Sequence, residues 1–197
     1  YRRKSASGRV ATSAAFAALD DPQNTRSFGI PAAVSRYVDQ QMLRDVVEDD
    51  LPIFFEHQRD ADARRMAAFP GRDWDAFVVH WRTKVLAEPS AKARTVELDG
   101  RVAGYLGSWE QDGKCLIAYW FGKEYWGRGV ATAAVAEFLT AHESRRPLHA
   151  YVARANVGSI RLLEKSGFQA LGPPVAGEDG VEEILFRLDR RPRSDSP

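Results

Sequence analysis

Cysteine is almost missing from this sequence: Cys115 is the single one among 197 residues, so no disulfide can form within the chain. Because its neighbours Leu116 and Ile117 are apolar, we interpret Cys115 as a buried strand thiol rather than a nucleophile. So little cysteine is typical of proteins from a reducing compartment. The sequence also has no apolar run close to the ~20 residues that span a bilayer. We therefore predict a cytoplasmic protein that does not bind membranes.

An excess of charge is missing as well. The 28 Lys and Arg residues nearly balance the 27 Asp and Glu residues, so charge gives no reason to expect a nucleic acid partner. With 44% hydrophobic residues the chain can bury a core. Its first 30 residues, by contrast, are small, polar and aperiodic. We predict one domain at residues 42–189, a mobile extension at 1–41 and a tail at 190–197, in a monomer or a homodimer.

Two Asp-Gly pairs predict tight hairpin turns. Asp99–Gly100 and Asp112–Gly113 each separate two stretches with strand character, and Asp-Gly tolerates the positive φ angles of such turns. Three antiparallel strands are therefore expected in succession. Another strand is expected earlier, at residues 43–47.

Helical periodicity lies on both sides of these strands. Apolar residues recur at helical spacing over residues 74–85, after Asp73 as a cap, and again over residues 131–139. A strand at residues 147–153, a helix capped by Asn156 and two closing strands follow. This order predicts an α/β (α+β) fold, with a mixed, mostly antiparallel twisted sheet and helices on both faces.

The stretch YWGRGVAT, at residues 125–132, places two glycines directly before a helix. A helix start leaves backbone N–H groups unpaired and carries a partial positive charge, so it favours an anion. Gly127 and Gly129 have no Cβ, so a phosphate can approach their amides closely. An ordinary strand-to-helix turn is the alternative. Two nucleotide loops fit poorly, because a dinucleotide turn needs glycine at Thr132 and the Gly-Lys-Ser/Thr ending of an ATP loop is absent.

A second stretch strengthens the phosphate interpretation. Together, YWFGKEYWGRGVATAAVAEFL (119–139) and HAYVARANVGSIRLLEKSGF (149–168) resemble the GNAT superfamily of acetyl-CoA-dependent N-acetyltransferases. Within it, the chain looks most like the branch of ribosomal-protein alanine acetyltransferases. The resemblance covers the strand order over about residues 42–189. It implies acetyl-CoA as cosubstrate, an amine as acceptor and no metal.

The resemblance also implies which residues bind the cosubstrate. The amides of the glycine turn bind the pyrophosphate, with Trp126 where the family usually has Gln or Arg, and the strand edge before the turn pairs with the pantetheine arm. Asn156 matches the residue that contacts the cosubstrate near its thioester, although it also suits a helix cap. Ser159 and Lys165 are weaker candidates. The predicted binding set is Trp120, Phe121, Gly122, Trp126, Gly127, Arg128, Gly129, Val130, Ala131, Thr132, Asn156 and Ser159.

The catalytic residues are harder to assign. The family transfers the acetyl group directly in a ternary complex. Many members place a Tyr as general acid in the helix that here begins after Asn156, and relatives in the alanine acetyltransferase branch often place a Glu early in the strand before the glycine turn. The matching positions are Leu163 and about Leu116. We predict Glu110 as the general base, with His149 as the second candidate and Tyr119 as a proton donor. Solvent is the remaining proton acceptor.

Two other functions stay open at this point. The chain could be a catalytically silent sensor that binds acyl-CoA, or the glycine turn could bind another nucleotide. The acceptor is not readable from the sequence. His57 and a group of acids are expected near its entrance, which would favour a cationic amine: Glu56, Asp60, Asp62, Glu178 and Asp179.

Overall fold

The computed structural model describes residues 41–177 and 180–190. Nearly all of the predicted extension and tail therefore lies outside the described residues. The strands are β1 (Gln41–Arg44), β2 (Lys92–Leu98), β3 (Arg101–Gln111), β4 (Lys114–Phe121), β5 (Leu148–Ala153), β6 (Gln169–Ala170), β7 (Val175–Ala176) and β8 (Glu182–Leu188). The α-helices are α1 (Leu51–Arg59), α2 (Ala61–Ala67), α3 (Trp74–His80), α4 (Val130–Glu137) and α5 (Val157–Lys165). Wider π-helical turns continue α3 over Trp81–Leu86 and α4 over Phe138–His142.

All eight strands join one sheet. Its order is β1-β2-β3-β4-β5-β8-β6, with β7 also paired to β8. Every pairing is antiparallel except that of β4 with β5, which is parallel. The predicted mixed, mostly antiparallel sheet is confirmed.

The predicted hairpin turns are confirmed by their backbone angles. Asp99 and Gly100 have φ values of 52° and 72°, and Asp112 and Gly113 have φ values of 50° and 72°. Two consecutive positive φ angles match the twist of the flanking strands. The strand β4 pairs with β3 over its full length, from Gly104–Phe121 to Gln111–Lys114.

The predicted helix caps are also present. The side chain of Asp73 accepts a hydrogen bond from the amide of Ala76 at the start of α3, and Asn156 accepts one from Ser159 at the start of α5. Each cap satisfies an amide that has no partner within the helix.

Two local predictions were wrong. The strand expected at residues 43–47 ends at Arg44, because Asp50 draws the chain into a turn by accepting from the Val47 amide and pairing with the Arg44 guanidinium. Trp74, expected on the buried face of its helix, is 41% exposed and meets the edge of Phe55. The core of α3 is formed instead by Phe77 and Trp81.

Side chains of β4 alternate between two packed faces of the sheet. Ile117, Tyr119 and Phe121 join the core under α4 and α5. Trp120 packs on the opposite face with α2, beside Tyr105. In the part of the chain that the structure describes, no helix is long and apolar enough to cross a membrane.

Candidate active site

A wedge opens between β4 and β5. The two strands pair at Cys115–Leu148 and Leu116–His149. Beyond these pairs, β4 follows β3 to Phe121, whereas β5 follows β8 to Ala153. The two parallel strands therefore diverge towards the starts of α4 and α5, which leaves room for an extended ligand between them.

The glycine turn lies at the end of β4, where the wedge opens. Gly127 and Gly129 have φ values of 68° and 79°, in the left-handed region that side chains with a Cβ disfavour. Gly129 is the residue directly before α4. The helix start therefore presents its first amides beside a backbone free of Cβ atoms, which suits a phosphate.

Trp126 connects the glycine turn to the end of β4 and to the core. Its indole Nε1 donates to the carbonyl of Phe121 over 3.2 Å, and its ring contacts both the core beneath α4 and the cluster around Trp120. Arg128 instead lies at the surface, with its guanidinium 5.8 Å from the centre of the Tyr125 ring. The tryptophan thus fixes the turn to the end of β4.

Three predicted site residues form one buried chain across the wedge. The hydroxyl of Tyr119, on β4, lies 2.6 Å from the Oγ of Ser159, on α5, and the Ser159 amide donates to Asn156 Oδ1. None of the three is more than 1% exposed. Burial raises the pKa of Tyr119 well above its usual value, so its hydroxyl stays protonated at neutral pH. Leu163, at the position of the family's usual Tyr, is fully buried.

Glu110 and His149 lie where the wedge begins. Glu110 is opposite Cys115 in the β3–β4 register, and its exposed carboxylate is 3.5 Å from the Arg145 guanidinium. The His149 ring is buried with no hydrogen-bond partner for Nδ1 among the described residues, and burial lowers its pKa. Its imidazole is therefore neutral at pH 7. Burial also raises the pKa of Cys115 to about 11, which keeps the thiol protonated and unreactive.

A cavity of about 290 Å³ adjoins β4 on the face of the sheet that carries Trp120, opposite α4 and α5. Ala118, Tyr119 and Trp120 contribute to its wall, so it meets the same strand that borders the wedge. Its remaining walls come from α1, from α3 with its π-helical turn, from β2 and β3, and from the loops beside them. Three of these residues are Trp81, Tyr105 and Trp109. Glu110 also lines one end. An acceptor in this cavity would lie against the strand that carries the other site residues.

Sequence reasoning missed the polar residues of this cavity. Gln58, Arg72, His80 and Lys84 line it, and they come from α1, the loop before α3, and α3 with its π-helical turn. The one available signal was the four-residue spacing of His80 and Lys84, which puts both on one side of a helix. Nothing in the sequence places Arg72 beside them.

The acids expected near the acceptor entrance form ion pairs or helix caps with other residues. Glu56 pairs with Arg59, Asp60 caps α2 at the Ala63 amide, and Asp62 pairs with Arg65 and Lys123. None of the three lines the cavity. Glu178 and Asp179 lie outside the described residues. None of the expected acids that the structure describes therefore lies at the cavity.

His57 lies at a different place from the one expected. Its ring is largely buried beside the glycine turn, with Nε2 3.7 Å from the Glu124 carboxylate, and its carbonyl accepts from the Trp120 indole. It therefore supports the end of β4. Among residues 41–177 and 180–190, no group of three or more His, Cys, Asp or Glu side chains is arranged to hold a metal ion.

Comparisons with known proteins agree with this geometry. The family model described as the acetyltransferase (GNAT) domain matches residues 41–169. Among curated proteins, none matches the chain. A solved spermidine N-acetyltransferase from Vibrio cholerae, in complex with CoA and spermine, superposes with a TM-score of 0.66 at 15% identity, covering 77% of this chain and 96% of that one.

Two further structures share the fold. The aminoglycoside acetyltransferase AAC(6')-Ib, in complex with paromomycin and acetyl-CoA, has a TM-score of 0.64 at 24% identity and covers 80% of this chain and 100% of its own. A GNAT-family acetyltransferase from Bacillus anthracis has a TM-score of 0.64 at 17% identity, with coverages of 76% and 95%. The sheet and helices described above are therefore those of the GNAT fold.

Proposed function

Because the chain belongs to the GNAT acetyltransferase family, we propose that it is an N-acetyltransferase that moves an acetyl group from acetyl-CoA to a primary amine. The wedge between β4 and β5 is the observation that carries this proposal. It has the glycine turn at its open end and the buried Tyr119–Ser159–Asn156 chain within it, and it shares β4 with the cavity. One strand thus connects a phosphate site, a proton donor and room for an acceptor.

The residues present fit acetyl-CoA. Left-handed glycines leave the amides from Gly127 to Thr132 accessible to the pyrophosphate. The segment Trp120–Gly122, along the diverging edge of β4, would hold the pantetheine arm. Asn156 and Ser159, at the start of α5, would lie near the thioester. Trp126 holds the turn in place for all of these contacts.

The transfer needs a neutral amine and a protonated leaving group. An α-amino group, with a pKa of about 8, is partly neutral at pH 7, whereas a lysine amine at about 10.4 is not. The amine nitrogen attacks the thioester carbonyl in a ternary complex, the C–S bond breaks, and the thiolate leaves. Tyr119 is the proposed donor of a proton to that thiolate. Glu110 or His149, directly or through water, takes the proton that the amine loses.

The acceptor is a finer question. The likeness to the ribosomal-protein alanine branch stays a prediction, and the solved structures of similar fold include enzymes for spermidine and for aminoglycosides. A cytoplasmic location and a monomeric or homodimeric state also stay predictions.

The proposal is tested by two measurements on the full chain. Calorimetry with CoA and acetyl-CoA should show saturable binding, and a panel of amines with acetyl-CoA should release free CoA at a rate above that without amine. Absence of binding to either coenzyme would refute the assignment.

A sensor is the second candidate, favoured by Leu163 and Leu116 at two positions where the resemblance expects catalytic residues. It predicts tight binding of acetyl-CoA with no turnover on any amine. The amine panel therefore separates the two functions.

A further inference from the structure

The cavity beside β4 contains a cation that has no partner in the described structure. Arg72 is partly buried and lines the cavity. Its guanidinium lies over the Phe69 ring, 5.3 Å from the ring centre, and within residues 41–177 and 180–190 it makes no side-chain hydrogen bond or ion pair. A guanidinium keeps its charge in proteins, and burying one without an anion is unfavourable. The site is therefore suited to a negatively charged group.

Two titratable neighbours of Arg72, His80 and Lys84, supply no negative charge to it. Burial, with smaller contributions from the charges of Arg72 and Lys84, lowers the pKa of His80 to about 4. His80 is thus neutral at pH 7 and offers no negative charge to Arg72. Lys84, exposed at the mouth of the cavity, is the second cation.

The carboxylates that line the cavity are used elsewhere. Glu88 accepts from the amide and the hydroxyl of Ser90, and Glu110 pairs with Arg145. The third lysine or arginine of the lining, Lys92, donates to the carbonyl of His142. Glu88 keeps its negative charge and offsets that of Lys84, which acts on it. The cation left without an anion is therefore Arg72.

Two polar groups can orient a ligand opposite this charge. The Gln58 amide donates to the Tyr105 hydroxyl over 2.5 Å, which leaves the tyrosine hydrogen for another acceptor. Gln58 is 8% exposed, and its Oε1 has no hydrogen-bond partner among the described residues. A ligand with an N–H group would satisfy this buried acceptor.

The walls and the size restrict the rest of the ligand. Six aromatic residues line the cavity: Phe69, Trp81, Tyr105, Trp109, Tyr119 and Trp120. Its volume of about 290 Å³ lies at the small end of the ~300–1,000 Å³ of ligand pockets. That volume suits a ligand the size of one amino acid better than an oligosaccharide.

We propose that the acceptor is an α-amino acid, or a molecule of that kind, with an aromatic or bulky apolar side chain and a carboxylate that pairs with Arg72. This inference rests on the proposed N-acetyltransferase function and names its substrate class. A guanidinium and a carboxylate match in a planar, two-bond geometry. The aromatic walls bind the apolar side chain, and the amine nitrogen lies towards β4. A polycation is a poor acceptor, because it brings like charge to Arg72.

The test compares three amines that differ in the carboxylate alone: L-phenylalanine, L-phenylalaninamide and phenethylamine. The wild-type chain should acetylate phenylalanine with the highest kcat/KM. Arg72→Gln should lower kcat/KM for phenylalanine by about 10- to 100-fold, mainly through KM, the range expected when one hydrogen-bonded charge is removed. It should change the value for phenethylamine by less than about 3-fold, and Arg72→Lys should recover part of the loss.

Arg65→Gln is the matched control. Arg65 is an exposed arginine on α2 that does not line the cavity, and its partner Asp62 keeps an ion pair with Lys123. This variant should behave as wild type with all three amines. Circular dichroism and thermal melts establish that each variant is folded.

Failure of this inference is distinguishable from failure of the proposed function. If amines are acetylated but phenethylamine or spermine exceeds phenylalanine, or Arg72→Gln lowers all three equally, the carboxylate assignment is wrong and the transferase function stands. If neither coenzyme binds, calorimetry with N-acetyl-L-phenylalanine and its amide still decides the cavity question. Binding of the acid alone, lost in Arg72→Gln, supports the inference, and equal binding of acid and amide overturns it.

Discussion

The hydroxyl of Tyr119, on β4, lies 2.6 Å from the Oγ of Ser159, on α5, across the wedge between β4 and β5. The sequence separates these residues by 40 positions, and both are fully or almost fully buried. Tyr119, on β4, thus brings its hydroxyl to α5. On this helix Leu163 stands where the resemblance expects a tyrosine.

Replacing Tyr119 tests that role. If its hydroxyl protonates the leaving thiolate, Tyr119→Phe should lower kcat by about 10²- to 10⁴-fold, the range for general acid catalysis, and leave the Kd for CoA nearly unchanged. Ser159→Ala, which removes the hydrogen-bond partner but keeps the tyrosine, is the control and should cost much less in kcat. An unchanged kcat in Tyr119→Phe would assign the pair to packing alone.

The glycine turn gives a prediction for cosubstrate binding. Gly129→Glu places a carboxylate and a Cβ at a residue with φ of 79° directly before α4. Repulsion of the phosphate should lower CoA affinity by at least about 100-fold, whereas the backbone strain of ~1–2 kcal/mol lowers the stability of the fold. Calorimetry measures the change.

Gly113→Glu is the matched control for that experiment. Gly113 also has a left-handed φ, 72°, and its Cβ would meet no atom within 4 Å, but it lies at the opposite end of β4 from the turn. The strain is therefore similar without a change near the phosphate. If both variants lose CoA affinity equally, the amides of the turn do not bind the pyrophosphate.

Features that depend on neighbouring residues could be predicted from the sequence. The Asp-Gly hairpins and the Asp73 and Asn156 caps are set by φ preferences and by side-chain bonds to amides three residues away, and both leave local signatures. The glycine turn belongs to the same class. Its position before α4 follows from the hydrophobic pattern, which changes from strand spacing to helical spacing within one short stretch of sequence.

The cavity beside β4, the proposed acceptor site, could not be predicted in this way. Gln58, Arg72 and Tyr105 meet only because α1 and the loop before α3 fold over the same face of the sheet as β3. No local pattern encodes that contact. The prediction that Asp62 lies at the acceptor entrance failed for the same reason. Its ion pairs with Arg65 and Lys123 depend on how α2 packs beside the segment before the glycine turn.

The buried carboxylate of Glu143 predicts a pH dependence of stability. Its side chain is inaccessible to solvent, and it accepts from Ser108 and from the Arg145 amide and guanidinium. Burial alone would raise its pKa, but these contacts outweigh burial and lower the pKa from 4.5 to about 2. A carboxyl whose pKa is lowered by folding stabilises the folded state at pH above its unfolded value. That contribution should be lost as the pH falls from about 4.5 to 2.

Denaturant titrations between pH 7 and pH 2 measure this effect. The wild-type free energy of unfolding should fall by roughly 3 kcal/mol more than that of Glu143→Gln over this range, because each tenfold change in proton affinity corresponds to about 1.36 kcal/mol. Glu164→Gln, which alters an exposed carboxyl on α5, should keep the wild-type slope. Parallel pH curves for the wild type and Glu143→Gln would show that Glu143 does not hold its proton more weakly in the folded state.

Gly122 offers a test of how His57 shapes the end of β4. Its φ of −60° is accessible to any residue, so substitution acts through space alone. A Cβ would lie 2.7 Å from both His57 Nε2 and Glu124 Oε2. The exposed Glu124 can swing away, but the His57 ring is only 10% exposed and cannot. Gly122→Ala should therefore destabilise the fold by about 1–3 kcal/mol and weaken CoA binding, because Gly122 follows directly on β4 at the proposed pantetheine edge.

A double-mutant cycle isolates that contact. In a His57→Ala background the ring is gone, so adding Gly122→Ala should cost less than about 0.5 kcal/mol in the free energy of unfolding. The affinity for CoA should change little on that second step. Equal costs of Gly122→Ala in both backgrounds would mean that the alanine meets the backbone of the turn instead, and that His57 does not set the shape of the strand edge.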